Sequence, residues 1–241
     1  MFYRGGVLMP KSKIIKELAN GTVDTLTALK RTKVLLSEFE NEELNTWINY
    51  EITGYSEKST IPDYRIVQGQ LVGSYFKGSM VSHMKWNNVS IPLGKMPEEL
   101  KDDLLTVYFK EGVEALSQLA KKCNSSDGNI GKTVNADFFP IIAHYNNDPY
   151  MIITSARVEI GNHCIHNIFS IIENKLLDIL ILLEKEFGVL DDLDIDVDSK
   201  SADENERIVN QLQLIIFNDN RVNIGDGNKI KDSNIASSIE N

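Results

Sequence analysis

The chain has 241 residues, 42% hydrophobic and 25% charged, with a formal net charge of −10. That length buries a substantial core in one or two domains, and the composition excludes a disordered, collagen-like or disulfide-scaffold chain. The excess of acid disfavours a general affinity for phosphate backbones, so nucleic acid is not the expected partner.

The opening MFYRGGVLMP has no apolar run long enough for a signal peptide, and Met9 is an alternative start that would make the first eight residues an artefact. Cys123 and Cys164 are the only cysteines and form no disulfide framework, which points to a reducing cytoplasm. Residues 11–20 read as a short helix with Ile14, Ile15 and Leu18 inward, closed by Asn20-Gly21. Thr22 is the expected cap of a second helix over 22–39, with Val23, Leu26, Leu29, Val34, Leu35 and Leu36 on its inner face. Lys30, Arg31 and Lys33 form a small basic cluster, read as a solvated helix face rather than a nucleic-acid site.

The most informative stretch is 41–65, NEELNTWINYEITGYSEKSTIPDYR. Asn41 is placed to cap a helix whose first turn carries Glu42 and Glu43, where negative charge suits the helix dipole. Leu44, Trp47, Ile48, Ile52 and Tyr55 recur at helical spacing, and Gly54 supplies the stop. Glu51 lies four residues from both Trp47 and Tyr55, so its carboxylate is directed at the apolar face. A carboxylate there needs a partner, and Arg65, carried by the turn at Pro62-Asp63, is the expected one. The pair either staples helix to sheet or, with Trp47, Tyr55, Asp63 and Tyr64, lines a functional site.

Leu44, Trp47, Ile48, Glu51, Ile52, Gly54 and Tyr55, followed by Pro62-Asp63-Tyr64-Arg65, make the pattern L-x-x-W-I-x-x-E-I-x-G-Y…P-D-Y-R. This resembles the hallmark of the AbiTii family of abortive-infection proteins, and the resemblance runs from about residue 11 to residue 187. It implies a role in bacterial defence against phage. It carries no catalytic mechanism that transfers residue by residue.

Beyond Tyr64 the pattern alternates, with glycines at 69, 73 and 78 and short extended pieces at 80–83 and 89–93 joined by a turn at Asn87-Asn88. Pro92 and Pro97 lead into a helix expected over 98–121, with Leu100, Leu104, Val107, Tyr108, Leu116 and Leu119 at helical spacing and an irregularity near Gly112. Residues 124–132, NSSDGNIGK, read as a loop without the full phosphate-loop pattern. Asn146-Asn147-Asp148-Pro149 splits two apolar segments, 138–145 and 150–160, the second a strand. The helix over 164–187 is apolar almost all round, but Glu173, Asn174, Lys175 and Asp178 interrupt it, so it reads as a buried core helix or a subunit interface, not a membrane span.

The sequence 190–206, LDDLDIDVDSKSADENE, reads as an acidic linker that lacks the glycine and closing Glu of a calcium loop. Residues 207–217 are apolar and fit either helix or strand. In 218–241, Val222, Ile224, Ile230 and Ile235 flank Asp226-Gly227, a hairpin signal with too few apolar groups to close a core alone. A homo-oligomer stacking these hairpins is the expected use of this tail.

The reading is an α+β chain: N-terminal helices, a small antiparallel sheet, a long buried helix, an acidic linker and a small β-rich tail. Its units are 1–189, 190–206 and 207–241. His163, Cys164 and His166 have no second cluster to complete a zinc site, and no Ser-x-x-Lys, G-x-S-x-G, H-E-x-x-H or paired-carboxylate motif stands in a convincing context. No metal or cofactor is expected. Two functional classes compete. One is an oligomeric scaffold, sensor or protein-binding module whose partner is a phage or host protein. The other is a toxic effector, most plausibly a nuclease, for which Arg65, Arg157 and His144 are the first residues to inspect.

Overall fold

Two of the first three helices start at a side-chain cap. In the computed structural model, which describes residues 11–217 except 80 and 125–128, α1 (Lys13–Ala19) buries Ile14, Ile15 and Leu18. Helix α2 (Thr25–Ser37) is capped by Asp24, whose carboxylate accepts from the Thr27 amide. Thr22, the expected cap, instead donates its hydroxyl to the Glu17 carbonyl. Leu29, Leu35 and Leu36 face inward, whereas Val34 is exposed, because the buried stripe also takes Ala28 and Thr32. Arg31 of the basic cluster pairs with Glu17 while Lys30 and Lys33 are exposed. Helix α3 (Glu42–Thr53) is capped by the Asn41 side chain at the Leu44 amide and closed by Gly54 at a φ of 101°.

The chain then makes one turn of 3-10 helix (Asp63–Arg65) and enters β1 (Ile66–Gln68) and β2 (Gln70–Gly78). Strand β3 (His83–Ser90) runs unbroken through Asn87-Asn88. The expected turn there is a bulge: Gly73 pairs with Val89 and Tyr75 with Trp86, so two residues oppose one, and Asn88 takes a φ of 51°. Asparagine suits that left-handed backbone in a bulge as well as in a turn.

The expected helix over 98–121 is interrupted. Helix α4 (Glu98–Leu105) gives way to β4 (Thr106–Tyr108), which pairs antiparallel with β1, before α5 (Val113–Asn124) begins. The β-branched and aromatic Thr106-Val107-Tyr108 favours a strand once a partner is available. Leu100 and Tyr108, expected inward, are exposed. Asn129–Thr133, expected as part of a loop, is β5. Helix α6 (Phe139–Tyr145) precedes β6 (Ile152–Gly161), and the main sheet is four-stranded, in the order β3-β2-β6-β5, antiparallel throughout.

Helix α7 (His163–Phe187) is the axis of the helical layer. Its Ile165, Ile168, Ile172, Leu176, Ile179, Leu180 and Leu183 are buried against α1, α2, α3, α5 and α8 (Ala202–Phe217) in one apolar core. A second core lies under the sheet, where Leu71, Tyr75, Ile153 and Val158 meet Ile91, Met96 and Ile142. No helix among the described residues is long and apolar enough to cross a membrane.

Two expectations for the C-terminal third change. Residues 190–206 are not a free spacer: Leu190 and Ile195 are buried in the helical core, and Asp191 accepts from the Lys13 amide. Residues 207–217 belong to α8, with Ile208, Leu212 and Ile216 buried at helical spacing, rather than to a β-rich tail. The expected hairpin of Val222, Ile224, Asp226, Gly227, Ile230 and Ile235 lies outside the described residues. The α+β class holds, with helices and antiparallel sheet both present.

Candidate functional site

Helix α3 and the Pro62 turn bring the motif together. Glu51 projects from the inner face of α3, and Arg65 ends the 3-10 turn that faces it. Their side chains are 0% exposed and meet at 2.5 Å, Arg65 Nη2 to Glu51 Oε2. Glu51 Oε1 accepts from Arg65 Nε at 3.3 Å, from Tyr55 Oη at 2.6 Å and from Tyr64 Oη at 2.5 Å. Trp47 Nε1 donates in turn to Tyr64 Oη at 3.2 Å. The remaining guanidinium nitrogen, Nη1, donates to the carbonyls of Phe109 and Glu111 at 3.0 and 2.8 Å. Tyr55 also lies under the guanidinium, 5.0 Å from ring centroid to Arg65 Cζ. All three guanidinium nitrogens and both carboxylate oxygens of the pair are thus hydrogen-bonded inside the protein, which is what a buried charge requires.

The carbonyls of 109–111 reach Arg65 because this segment, just past β4, passes against the end of α3, where Gly54 and Glu111 form an antiparallel bridge. The Tyr55 amide donates to the Lys110 carbonyl at 2.7 Å. The crossing needs glycine on both sides. A Cβ on Gly54 would come within 2.8 Å of the Lys110 carbonyl oxygen, and one on Gly112 within 2.3 Å of the Ile52 carbonyl oxygen. The irregularity expected near Gly112 is this close approach.

Burial, and then the Glu51 carboxylate, push the Tyr55 and Tyr64 phenols well above their ordinary range. Burial pulls the Arg65 guanidinium down, but Glu51 and the two tyrosines outweigh it and hold the group charged. The folded protein keeps both phenols protonated where an unfolded chain ionises them, near pH ~10. The stabilisation is complete below that pH and is lost as pH rises above it. In urea melts the midpoint is expected to fall from pH 9 to pH 11 (chosen as about one unit either side of the free phenol), and to fall less in Tyr55→Phe/Tyr64→Phe. A double variant with the same alkaline slope as the wild type rules the two phenols out as the cause.

A buried lysine extends the network. Lys175 of α7 is 7% exposed, and its Nζ donates to the last carbonyls of α8, Ile215 at 3.0 Å and Ile216 at 2.9 Å. It also sits 5.6 Å from the centroid of Tyr64. Lys175 thus binds the negative end of the α8 dipole, an arrangement that favours a cation. In the sequence it is visible only as an interruption in an apolar run.

Outside the network, α3, the loop 56–62 and the end of α8 enclose a groove of about 850 Å³. Trp47, Tyr50 and Tyr55 floor it, Ile216 and Phe217 form one wall, and Glu42, Glu43 and Asp63 stand at its edge. Trp47 and Tyr55 are shared between groove and network, so the two are one structure with a sealed inside and an open outside.

The other candidates stay apart. His163 and Cys164 touch, with Sγ and Nε2 3.5 Å apart, and burial raises the Cys164 thiol, which works against a thiolate nucleophile. Among the described residues no three of His, Cys, Asp and Glu gather as metal ligands. Arg157 is paired with Glu159, and His144 packs edge-on against Tyr145, so Arg65, Arg157 and His144 form no common site.

Fold and site together define an α+β protein whose signature residues tie a helical layer to the strands beside it. The AbiTii family model matches residues 12–209, and the chain belongs to that family. The match reaches past the 187 expected from the sequence and includes the first half of α8. Membership implies abortive-infection defence against phage. No curated protein and no solved structure matches the chain.

Proposed function

We propose that the chain serves antiphage defence as a cytoplasmic protein-binding module rather than as a nuclease. The observation that carries this reading is the closure of the motif. Glu51 is fully buried, with Oε1 accepting from Tyr55, Tyr64 and Arg65 and Oε2 from Arg65, so the carboxylate is closed off from a solvent-borne metal or phosphodiester. A general base must reach the proton it takes, and this one reaches only the protein. The open face beside it is a groove with aromatic floor and acidic edge, a surface that suits a polypeptide and repels a phosphate backbone. Self-association through 218–241 is a separate proposal that rests on the sequence of the tail.

The test is incubation of the purified chain with total cellular RNA and DNA, with and without divalent metal. No cleavage is expected. Robust cleavage by the wild type, abolished by one polar substitution such as His144→Ala or Arg157→Ala, overturns the binding reading in favour of a nuclease.

A further inference from the structure

The groove at the end of α3 has a chemical preference that narrows its partner. Its edge carries the carboxylates of Glu42, Glu43 and Asp63, all exposed, and among the described residues no Lys or Arg lines it. None of the three makes an ion pair among the described residues; Glu43 only accepts from the Gln213 amide at 2.7 Å. Glu57, in the adjoining loop, is by contrast paired with Lys110 at 3.0 Å. Below the carboxylates, aromatic and aliphatic side chains share the surface with the hydroxyls of Thr46, Ser59 and Thr60. The Tyr50 and Tyr55 rings lie 5.1 Å apart, and Phe217 is 55% exposed at the opposite wall. That wall is built rather than frayed, because Lys175 holds the Ile215 and Ile216 carbonyls from beneath.

Aromatic faces beside unpaired carboxylates attract a cation twice, through the ring quadrupole and through charge, while the floor takes apolar side chains. The volume suits a short segment rather than a whole domain. We infer that this groove binds a cationic segment of a partner protein in which Lys or Arg alternates with large apolar residues. The inference rests on the protein-binding reading above and specifies its partner.

Fluorescence anisotropy on the full chain tests it with a labelled hexapeptide, Lys-Leu-Lys-Trp-Lys-Leu. Two counterparts serve as controls, one with Glu for Lys and one with Gly for Leu and Trp. The cationic apolar peptide is expected to bind at least about ten-fold more tightly than either control. Glu42→Gln/Glu43→Gln/Asp63→Asn and, separately, Phe217→Ser should each weaken it by about ten-fold or more. Phe217 is exposed, so its substitution reports on binding even if the triple variant folds poorly. Equal binding of all three peptides, absence of binding, or affinity unchanged in Phe217→Ser overturns the proposal. Occupation of the groove by residues 218–241 of the same chain would show as absence of binding and counts against it. The two readings fail separately. Nucleic-acid cleavage with peptide discrimination intact removes the protein-binding function but keeps the groove's preference. Lost discrimination without cleavage does the reverse.

Discussion

Glu51→Ala and Arg65→Ala are each expected to lower stability by about 3 kcal/mol or more, and the double variant by clearly less than their sum. The reason is the state each single change leaves behind. Glu51→Ala strands a guanidinium that is 0% exposed, with only the Phe109 and Glu111 carbonyls still accepting from it. Arg65→Ala strands a carboxylate with two phenol donors and no counter-charge, and also removes the donor that the Phe109 and Glu111 carbonyls share. Removing both leaves no buried charge, so part of the penalty disappears. Urea melts of the four proteins measure the coupling. Strict additivity would mean that the two residues stabilise the fold independently, contrary to the geometry. Two well-folded single variants that lose phage protection in cells would move the pair from architecture to function.

Much of this arrangement is legible in the sequence because it is local. Asn41 as a cap, Gly54 as a stop and Glu51 on the inner face follow from spacing along the twelve residues of α3 and the one that flanks each end. The partnership with Arg65 follows from one further step, that a buried carboxylate needs a cation near at hand. The partners that sequence reasoning missed are remote. The Phe109 and Glu111 carbonyls lie 44 and 46 residues from Arg65, and Lys175 meets α8 across 40 residues. Backbone carbonyls leave no residue-type signal at all. The strand at Thr106–Tyr108 was hidden for a different reason. Leu100, Leu104 and Val107 keep a helical period, and the pairing of β4 with β1 decides the outcome. The acidic stretch 190–206 misled because its exposed Asp residues outnumber the two apolar positions, Leu190 and Ile195, that dock it.

The motif's position explains why its residues belong together. Helical core and sheet are separate apolar clusters, and the α3 end, the 3-10 turn and the 109–112 crossing lie where the chain passes from one to the other. Hydrophobic contact is non-directional and fixes such a junction poorly. A bidentate guanidinium–carboxylate pair, two phenols and two glycines that admit no Cβ fix it in register. The groove inherits that rigidity, since Trp47 and Tyr55 belong to both.

Trp47→Ala is the second large effect, expected at roughly 3–5 kcal/mol. Trp47 is 3% exposed and packs within the helical core beside Leu44 and Ile48. Truncation to Cβ leaves a cavity, and a cavity so close to α7 and α8 closes only if a helix shifts. The indole N–H is lost as well, which removes the donor that Tyr64 Oη accepts while it donates to Glu51. Trp47→Phe separates the two contributions. It keeps most of the buried ring and removes the donor, so its cost should be well below that of Trp47→Ala, nearer the roughly 1 kcal/mol of a single hydrogen bond. Denaturant melts followed by circular dichroism supply both numbers. Trp47 also floors the groove, so Trp47→Ala should weaken the cationic hexapeptide even at temperatures where the variant remains folded. An unshifted melt for Trp47→Ala would place the indole on the surface and contradict the packing. A large shift with peptide affinity intact would confine Trp47 to the core and assign the groove's floor to Tyr50 and Tyr55 alone.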